Sequence, residues 1–150
     1  RTFEFHYAVT PREIADRLFE TLAASDELSL QAGVLVVDKF ALPHHFRRMR
    51  APDLLAYFVG QTAGLIGDML QRTYLRIDGK RADVAAVRRI RVELSRLGYR
   101  LNKLGVVPAH KQDGLQVADM IAGAVLDYIR HGEERLSKLG AKVIMRIFEE

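Results

Sequence analysis

The sequence has no cysteine and no tryptophan, and only 4 of its 150 residues are proline. Without cysteine there is no disulfide framework, no thiolate zinc site and no cysteine nucleophile, which suits the cytoplasm. The most apolar helical stretch, residues 54–70, includes Gln61, Asp68 and three glycines. It falls short of the roughly 20 apolar residues that a bilayer span needs. We therefore expect a cytoplasmic protein with no membrane partner.

Several common catalytic motifs are also absent. The sequence has no GxSxG, GxxxxGKS, GxGxxG or HExxH pattern, so α/β-hydrolase, P-loop, dinucleotide-binding and zincin chemistry lack their residues. What is present is an ordinary globular composition, 49% hydrophobic and 28% charged, with a formal net charge of +4. This length fits one domain. The charge is compatible with an anionic partner and equally with none.

The hydrophobic pattern alternates between strands and helices, which indicates an α/β fold. The predicted strands are residues 3–8, 30–37, 73–78 and 99–107, and the second is apolar enough for burial on both faces. The predicted helices cover residues 10–24, 52–72, 81–97, the region around residue 119, and 133–148 with a kink at Gly140. Residues 38–52 form a loop that carries a basic cluster.

One predicted helix, which contains the run GLQVADMIAGA at residues 114–124, carries a narrow polar stripe. Its members recur at spacings of three and four residues and so share one helix face: Gln116, Asp119, Gly123, Asp127 and Arg130. A carboxylate on so apolar a helix needs a reason, because an unpaired buried charge is costly. The stripe is either a solvated edge or a cleft lining in which Asp119 meets a metal or substrate and Gly123 gives clearance.

Two other acids are candidate site residues. Asp78 ends a predicted strand, and open α/β sheets place their sites beyond the carboxyl ends of strands. The following Gly79 makes a simple turn the alternative. Glu4 alternates with Phe3 and Phe5, which is equally typical of a strand residue with a solvated side chain. Neither acid alone indicates a function.

The order of these motifs resembles a known family. EFHY, a strand ending in VVDK, a strand ending in RIDG and the helix QVADMIAGA follow one another across about residues 4–129. This order is similar to that of the family catalogued as domain of unknown function 3800, and QVADMIAGA is its most specific element. The resemblance implies an α/β ribonuclease H-like fold, with a mixed sheet flanked by helices.

The same resemblance implies a metal site. Its acidic set would be Glu4 of EFHY, Asp78 of RIDG and Asp119 of QVADM. Carboxylates suit Mg²⁺ or Mn²⁺, and two such ions about 3.5–4 Å apart can clamp a phosphodiester during hydrolysis. The residues implied at the edge of the site are Gln116, Lys39 and His6.

The sequence departs from the family pattern in two places. Family members usually begin with a strand ending in Asp-Glu-Ser, which this sequence lacks. They also commonly carry an Asp-Ser-Lys segment before the helix, and here its place is held by Pro108, Ala109 and His110. We therefore expect a single domain, residues 1–150, that lacks N-terminal strands and one ligand for a second metal. The predicted strands are too few for a ribonuclease H-like sheet, so an open edge should pair with missing strands or another chain, as in a homo-oligomer.

Basic residues supply candidate contacts to nucleic-acid phosphates. These residues are Arg47, Arg48, Arg50 and Lys111. The alternative is a solvated surface, because acids such as Asp53 are interspersed among them. Together these observations predict metal-dependent phosphodiester hydrolysis on a nucleic acid. The alternative function is a module that retains the fold and binds nucleic acid or protein, or assembles, without turnover. An Asp-bearing strand before residue 1 in the full gene product would favour hydrolysis.

Overall fold

The chain folds as a mixed α/β protein in a computed structural model that describes residues 5–26, 29–79 and 84–149. The α-helices are α1 (Arg12–Ala24), α2 (His44–Arg48), α3 (Ala51–Ile66), α4 (Val84–Arg96) and α5 (Asp113–His131). The strands are β1 (Ala32–Val36), β2 (Tyr74–Asp78), β3 (Lys103–Val107) and β4 (Val143–Ile147). Short 3-10 segments cover Gly67–Leu70, Ala109–Lys111 and Glu134–Lys142. The predicted α/β class is confirmed.

The chain divides into two compact units. The first comprises Arg1–Ala32 and Pro108–Val143, and the second comprises Gly33–Val107 and Ile144–Glu150. Each unit therefore joins segments that are distant in sequence.

The first unit is built from α1, α5 and the 3-10 segment Glu134–Lys142, which packs against both helices. Phe19 of α1 and Met120 of α5 are fully buried, and Leu139 of the 3-10 segment is 3% exposed. The helical spacing of the apolar residues in α1 and α5 explains this packing, because it gathers them on one face of each helix. Helix α5 ends at Gly132, whose φ of 68° is the left-handed conformation typical of a helix stop.

The second unit contains a hydrophobic core between α3, α4 and a parallel strand pair. Strands β2 and β3 run parallel, from Tyr74 opposite Lys103 to Asp78 opposite Val107. Ile90 and Leu94 of α4 are almost fully buried in this core. The parallel pairing puts Asp78 at the carboxyl end of its strand, as the sequence predicts.

A second strand pair, β1 with β4, belongs to this unit apart from the first residue of each strand. Beyond β4, Phe148 donates its backbone N–H to Val36 O at 2.8 Å. Its ring packs edge-on against Phe46 and Phe58, at centroid distances of 5.6 and 5.2 Å. All five residues of β1 are half-buried, so the predicted full burial of this strand on both faces is wrong. Within the described residues the strands form two separate pairs and not one mixed sheet.

The predicted strand at residues 3–8 is wrong where the structure describes it. Residues 7–9 form a turn, and the N–H groups of Val9 and Thr10 donate to His6 O at 3.1 and 2.9 Å. The backbone N–H groups of Phe5 and Tyr7 donate to side chains of α5. The alternating pattern of EFHY is typical of a strand, but helix side chains satisfy this backbone instead.

The predicted terminal helix is wrong beyond residue 142. The 3-10 segment Glu134–Lys142 is interrupted at Gly140, whose φ of 50° and ψ of −128° are not helical. The run VIMRI then forms β4 and pairs with β1. Its β-branched residues favour a strand when a partner strand is available. The local sequence pattern does not reveal that β1 supplies this partner. Across the described ranges, no helix is both long and apolar enough to cross a bilayer.

Candidate functional site

The polar stripe of α5 lies against residues 5–7 of the chain. Phe5 donates its backbone N–H to Gln116 Oε1 at 2.8 Å, and Tyr7 donates its backbone N–H to Asp119 Oδ2 at 2.9 Å. Gln116 is only 6% exposed, and its Nε2 also donates to Ala109 O at 3.4 Å. The structure therefore brings together two of the predicted motifs, EFHY and QVADM.

Gly123 provides the clearance that the sequence predicts, and the group it admits is the ring of Tyr7. A Cβ atom built on Gly123 would overlap Cγ, Cδ1 and Cβ of Tyr7. Any larger residue in this helical position would displace the ring. The polar stripe is thus neither a plain solvated edge nor an open cleft in this structure, because residues 5–7 contact it at Gln116, Asp119 and Gly123.

The hydroxyl of Tyr7 is held between an acid and an arginine. It donates to Asp127 Oδ2 at 2.7 Å and accepts from Arg135 Nη1 at 2.6 Å. Arg135 is 8% exposed, and its Nε donates to Asp16 Oδ1 at 2.7 Å. We call Tyr7, Asp127, Arg135 and Asp16 the tyrosine clamp. It ties together residues from every helical element of the first unit's core.

The tyrosine clamp shifts the pKa values of its own members. Burial and the hydrogen bond to Asp127 raise the pKa of Tyr7 from 10.0 to about 12, against the opposing charge of Arg135. The hydrogen bond from Arg135 lowers the pKa of Asp16. At neutral pH the clamp therefore contains a neutral tyrosine and an ionised aspartate.

Asp119 is the acid of the stripe that is best placed to meet a ligand. Its side chain is 43% exposed, and His6 Nδ1 lies 3.5 Å from the same Oδ2 atom that accepts from Tyr7. His6 therefore lies beside Asp119. In the part of the chain that the structure describes, no three His, Asp or Glu side chains gather at metal-binding distance. Glu4, the third acid expected near this segment, lies outside the described residues.

Asp78 lies in the second unit, at the rim of a cavity of about 210 Å³. The cavity lies between α3, α4 and the ends of β2 and β3, and its other lining residues are apolar, among them Leu55, Ala86 and Val106. Asp78 is exposed. Its position at the end of a parallel strand agrees with the sequence-based expectation, while the described lining residues add no further carboxylate to it.

The predicted phosphate-binding residues have different local roles. Arg47 donates from Nε to Leu42 O at 2.9 Å and from Nη2 to Phe40 O at 2.8 Å, so it braces its own loop. Arg50 pairs with Asp53 at 3.0 Å. In contrast, the side chains of Arg48 and Lys111, and that of the site-edge candidate Lys39, are exposed and make no hydrogen bond or ion pair to any described residue.

Sequence reasoning missed the tyrosine clamp. Arg135 falls in the predicted helix of residues 133–148, and Tyr7 falls in the predicted strand of residues 3–8. One signal could have found the contact, namely Gly123 in the middle of a polar stripe, since glycine inside a helix marks a close approach. That signal identifies the position but not the residue that fills it.

Comparisons with known proteins add no assignment to this geometry. No family model, curated protein or solved structure matches the chain.

Proposed function

We propose that the protein is a divalent-metal-dependent phosphodiesterase of ribonuclease H-like fold that acts on a nucleic acid. Glu4 and Asp119 are the proposed ligands for Mg²⁺ or Mn²⁺ in the first unit, and Gln116 orients the neighbouring segment. Asp78 is proposed as a third catalytic acid, and the variant Asp78→Asn tests this role. The exposed basic residues Arg48 and Lys111 are the proposed phosphate contacts.

One observation carries this proposal, the pairing of the EFHY segment with the QVADM helix. Two hydrogen bonds hold that segment to Gln116 and Asp119, across more than a hundred residues of sequence. A shared site requires this proximity, because neither motif alone supplies enough carboxylates for a hard cation. The pairing supports a joint role for the two motifs.

The donor set of the described residues suits one weakly held ion better than two. Asp119 offers carboxylate oxygens, the ligand type that Mg²⁺ and Mn²⁺ prefer, and its side chain is 43% exposed. Among the described residues, no group of three His, Asp or Glu side chains forms around it. A two-ion site would therefore require carboxylates from residues that the structure does not describe, of which Glu4 is the proposed one. A bound ion would polarise the phosphodiester and activate the attacking water.

Titration of Mn²⁺ by calorimetry tests the metal site. We expect binding to the wild-type protein and a loss of about tenfold or more in affinity for Asp119→Asn. Asp113→Asn is the matched control, because Asp113 is an exposed acid in the first turn of the same helix. Equal binding by Asp119→Asn and Asp113→Asn would remove Asp119 from the site.

Cleavage assays test the reaction. The protein should cut single- or double-stranded DNA or RNA with Mg²⁺ or Mn²⁺ and stop when a chelator is added. Asp78→Asn and Asp119→Asn should each abolish cutting while circular dichroism shows an intact fold, because the amide removes charge with little change in volume. Cutting that persists in both variants would show that these acids are not catalytic.

The second candidate is a module that binds nucleic acid or assembles with a protein without turnover. The bond from Tyr7 N–H to Asp119 Oδ2 favours it, because this carboxylate already has a structural partner. A protein that retards labelled RNA or DNA in a gel, yet leaves it uncut with either metal, would support this candidate over the first.

A further inference from the structure

Residues 38–43, between β1 and α2, present an exposed phenylalanine, and we call this segment the Phe40 loop. Phe40 is 92% exposed, the highest value among the large hydrophobic residues that the structure describes. The other described phenylalanines are buried or half-buried: Phe5, Phe19, Phe46, Phe58 and Phe148. Single exposed apolar residues are common on protein surfaces, so the exposure of Phe40 does not by itself indicate a function.

Phe40 differs from an ordinary surface residue because two side chains hold its backbone. Its N–H donates to Asp38 Oδ1 at 2.8 Å, and its carbonyl oxygen accepts from Arg47 Nη2 at 2.8 Å. Arg47 Nε also donates to Leu42 O at 2.9 Å, and Leu42 is buried. The Phe40 loop is therefore braced on both sides of Ala41. A partner that contacts the ring pays little to order a loop that is already held.

The chain around the ring is cationic. Residues 38–50 contain four Lys or Arg residues and one acid, Asp38. Arg47 brings its guanidinium group to the carbonyl oxygen of Phe40 itself. The side chains of Lys39 and Arg48 are exposed and form no hydrogen bond or ion pair within the described part of the chain. An anionic group next to the Phe40 loop would therefore meet cations that are available to bind it.

A single ring among cations suits a nucleobase better than a protein or a lipid surface. Protein interfaces and inserted membrane anchors both depend on a contiguous apolar area, and the Phe40 loop has no second exposed large hydrophobic residue. A stacked base needs only the face of one aromatic ring, and its phosphates need cations. In a duplex the bases already stack on one another, so a single strand is the form that offers a free base.

We infer that Phe40 stacks on one base of a single-stranded nucleic acid, while Lys39 and Arg48 contact the phosphates of the same strand. This inference rests on the proposed function for its polymer and narrows the substrate class to single strands. Because every base has an aromatic face, the stacking should depend little on sequence. Phe40 acts in binding and has no role in breaking the phosphodiester bond.

The first measurement is the affinity for short labelled oligo(dT) and oligo(U), read by fluorescence anisotropy with a chelator present so that the strand stays intact. Phe40→Ala should lower the affinity on the order of tenfold. Phe40→Leu should lower it similarly, because leucine keeps apolar volume but has no aromatic face. The matched control is Tyr74→Ala, which removes a 66% exposed aromatic ring from β2 and should leave the affinity unchanged.

An abasic strand separates stacking from support of the loop. This strand keeps the phosphates and lacks the bases, so Phe40→Ala should leave its affinity unchanged. Lys39→Ala and Arg48→Ala should weaken binding of the abasic strand and of oligo(dT) alike. If Phe40→Ala weakens binding of both strands equally, the ring only supports the cationic residues and the inference is overturned.

The second measurement uses the absence of tryptophan from the sequence. Phe40→Trp introduces a single indole at the proposed stacking position, and its emission reports contact with a base. Oligo(dT) should quench this emission, and the abasic strand should not. Tyr74→Trp places the indole at another exposed aromatic position and should be quenched by neither strand. Equal quenching of both variants by oligo(dT) would contradict a specific contact at Phe40.

The outcomes separate this inference from the proposed function. If the protein cuts single strands while Phe40→Ala and Phe40→Leu bind them as tightly as the wild type, the inference fails and hydrolysis stands. If Phe40→Ala weakens binding as expected but neither metal supports cutting, the inference stands and hydrolysis fails. If oligonucleotides leave the emission of Phe40→Trp unchanged and vesicles containing phosphatidylserine shift it to the blue, the partner is a lipid surface and the inference is overturned.

Discussion

The ring of Tyr7 lies directly over the backbone of Gly123, in the volume that the Cβ atom of any other residue would occupy. The two residues are far apart in sequence, so the contact joins the start of the described chain to the middle of α5. It also brings the Tyr7 amide to Asp119 and the Tyr7 hydroxyl to Asp127. The absence of a side chain at Gly123 thus allows Tyr7 to lie where it can hydrogen-bond to both Asp119 and Asp127.

Gly123→Ala should lower the free energy of unfolding, by about 1–3 kcal/mol, because the added methyl group forces the Tyr7 ring off the helix. Alanine gains up to about 1 kcal/mol in helix propensity, which offsets only part of this loss. Urea denaturation followed by circular dichroism measures the change. Gly114→Ala in the same helix meets open space and should be neutral or slightly stabilising. Equal stability of the two variants would contradict the contact.

The tyrosine clamp should make stability fall at high pH. The pKa of Tyr7 is raised to about 12 from an ordinary value near 10, so the folded protein holds this proton more tightly than the unfolded chain does. The stability from neutral Tyr7 is therefore complete below about pH 10 and is lost as the pH rises towards 12. Urea denaturation across this range should show a steeper decline for the wild type than for Tyr7→Phe.

Tyr128→Phe serves as the control for this pH dependence, because Tyr128 is 44% exposed on the same helix. Its decline should match that of the wild type. If Tyr7→Phe follows the wild-type curve as well, the hydroxyl of Tyr7 is not held in the clamp.

The sequence predicts those elements well whose signals are local. The apolar spacing of α4 and the turn after Asp78 are visible within a few residues, and the structure has the helix and the strand end where they indicate. The polar stripe of α5 is equally legible, because helical periodicity alone gathers Gln116, Asp119 and Gly123 on one face.

The wrong predictions concern backbone segments whose hydrogen-bond partners are distant in sequence. The N–H groups of Phe5 and Tyr7 find acceptors 111 and 112 residues away, so no local pattern separates this segment from a strand. Strand β4 depends on β1 in the same way, and its sequence is compatible with a helix until that partner is present. The sequence therefore predicts the residues of the α5 stripe, but it does not predict that residues 5–7 pack against them.

Lys142 should contribute more to stability than its neighbour in the same segment. Its Nζ donates to the carbonyl oxygens of Leu22, Ala23 and Ser25 at 2.8, 3.0 and 2.8 Å, at the end of α1. A cation suits this position, because the last carbonyls of a helix carry partial negative charge. Lys142→Met removes these charge-assisted bonds and should cost about 1.5–3 kcal/mol in urea denaturation.

The matched variant for Lys142 is Lys138→Met. Lys138 pairs with Glu20 at 2.9 Å, and both side chains are exposed, so its loss should cost no more than about 1 kcal/mol. A cost for Lys138→Met equal to that for Lys142→Met would show that the three carbonyl bonds add nothing beyond a surface charge.

Arg47 and Arg48 are adjacent, and the structure predicts opposite consequences for their removal. Arg47→Ala loses two bonds to loop carbonyls and should lower stability by about 1 kcal/mol, because these oxygens lose their charged donor. Arg48→Ala should change stability by less than about 0.5 kcal/mol, since Arg48 is exposed. If Arg48 contacts a phosphate, its loss should instead reduce the slope of log K against log salt by about 1 in fluorescence anisotropy with labelled RNA or DNA. An unchanged slope for Arg48→Ala, with a reduced slope for Arg47→Ala at full stability, would reverse these roles and make Arg47 the phosphate contact.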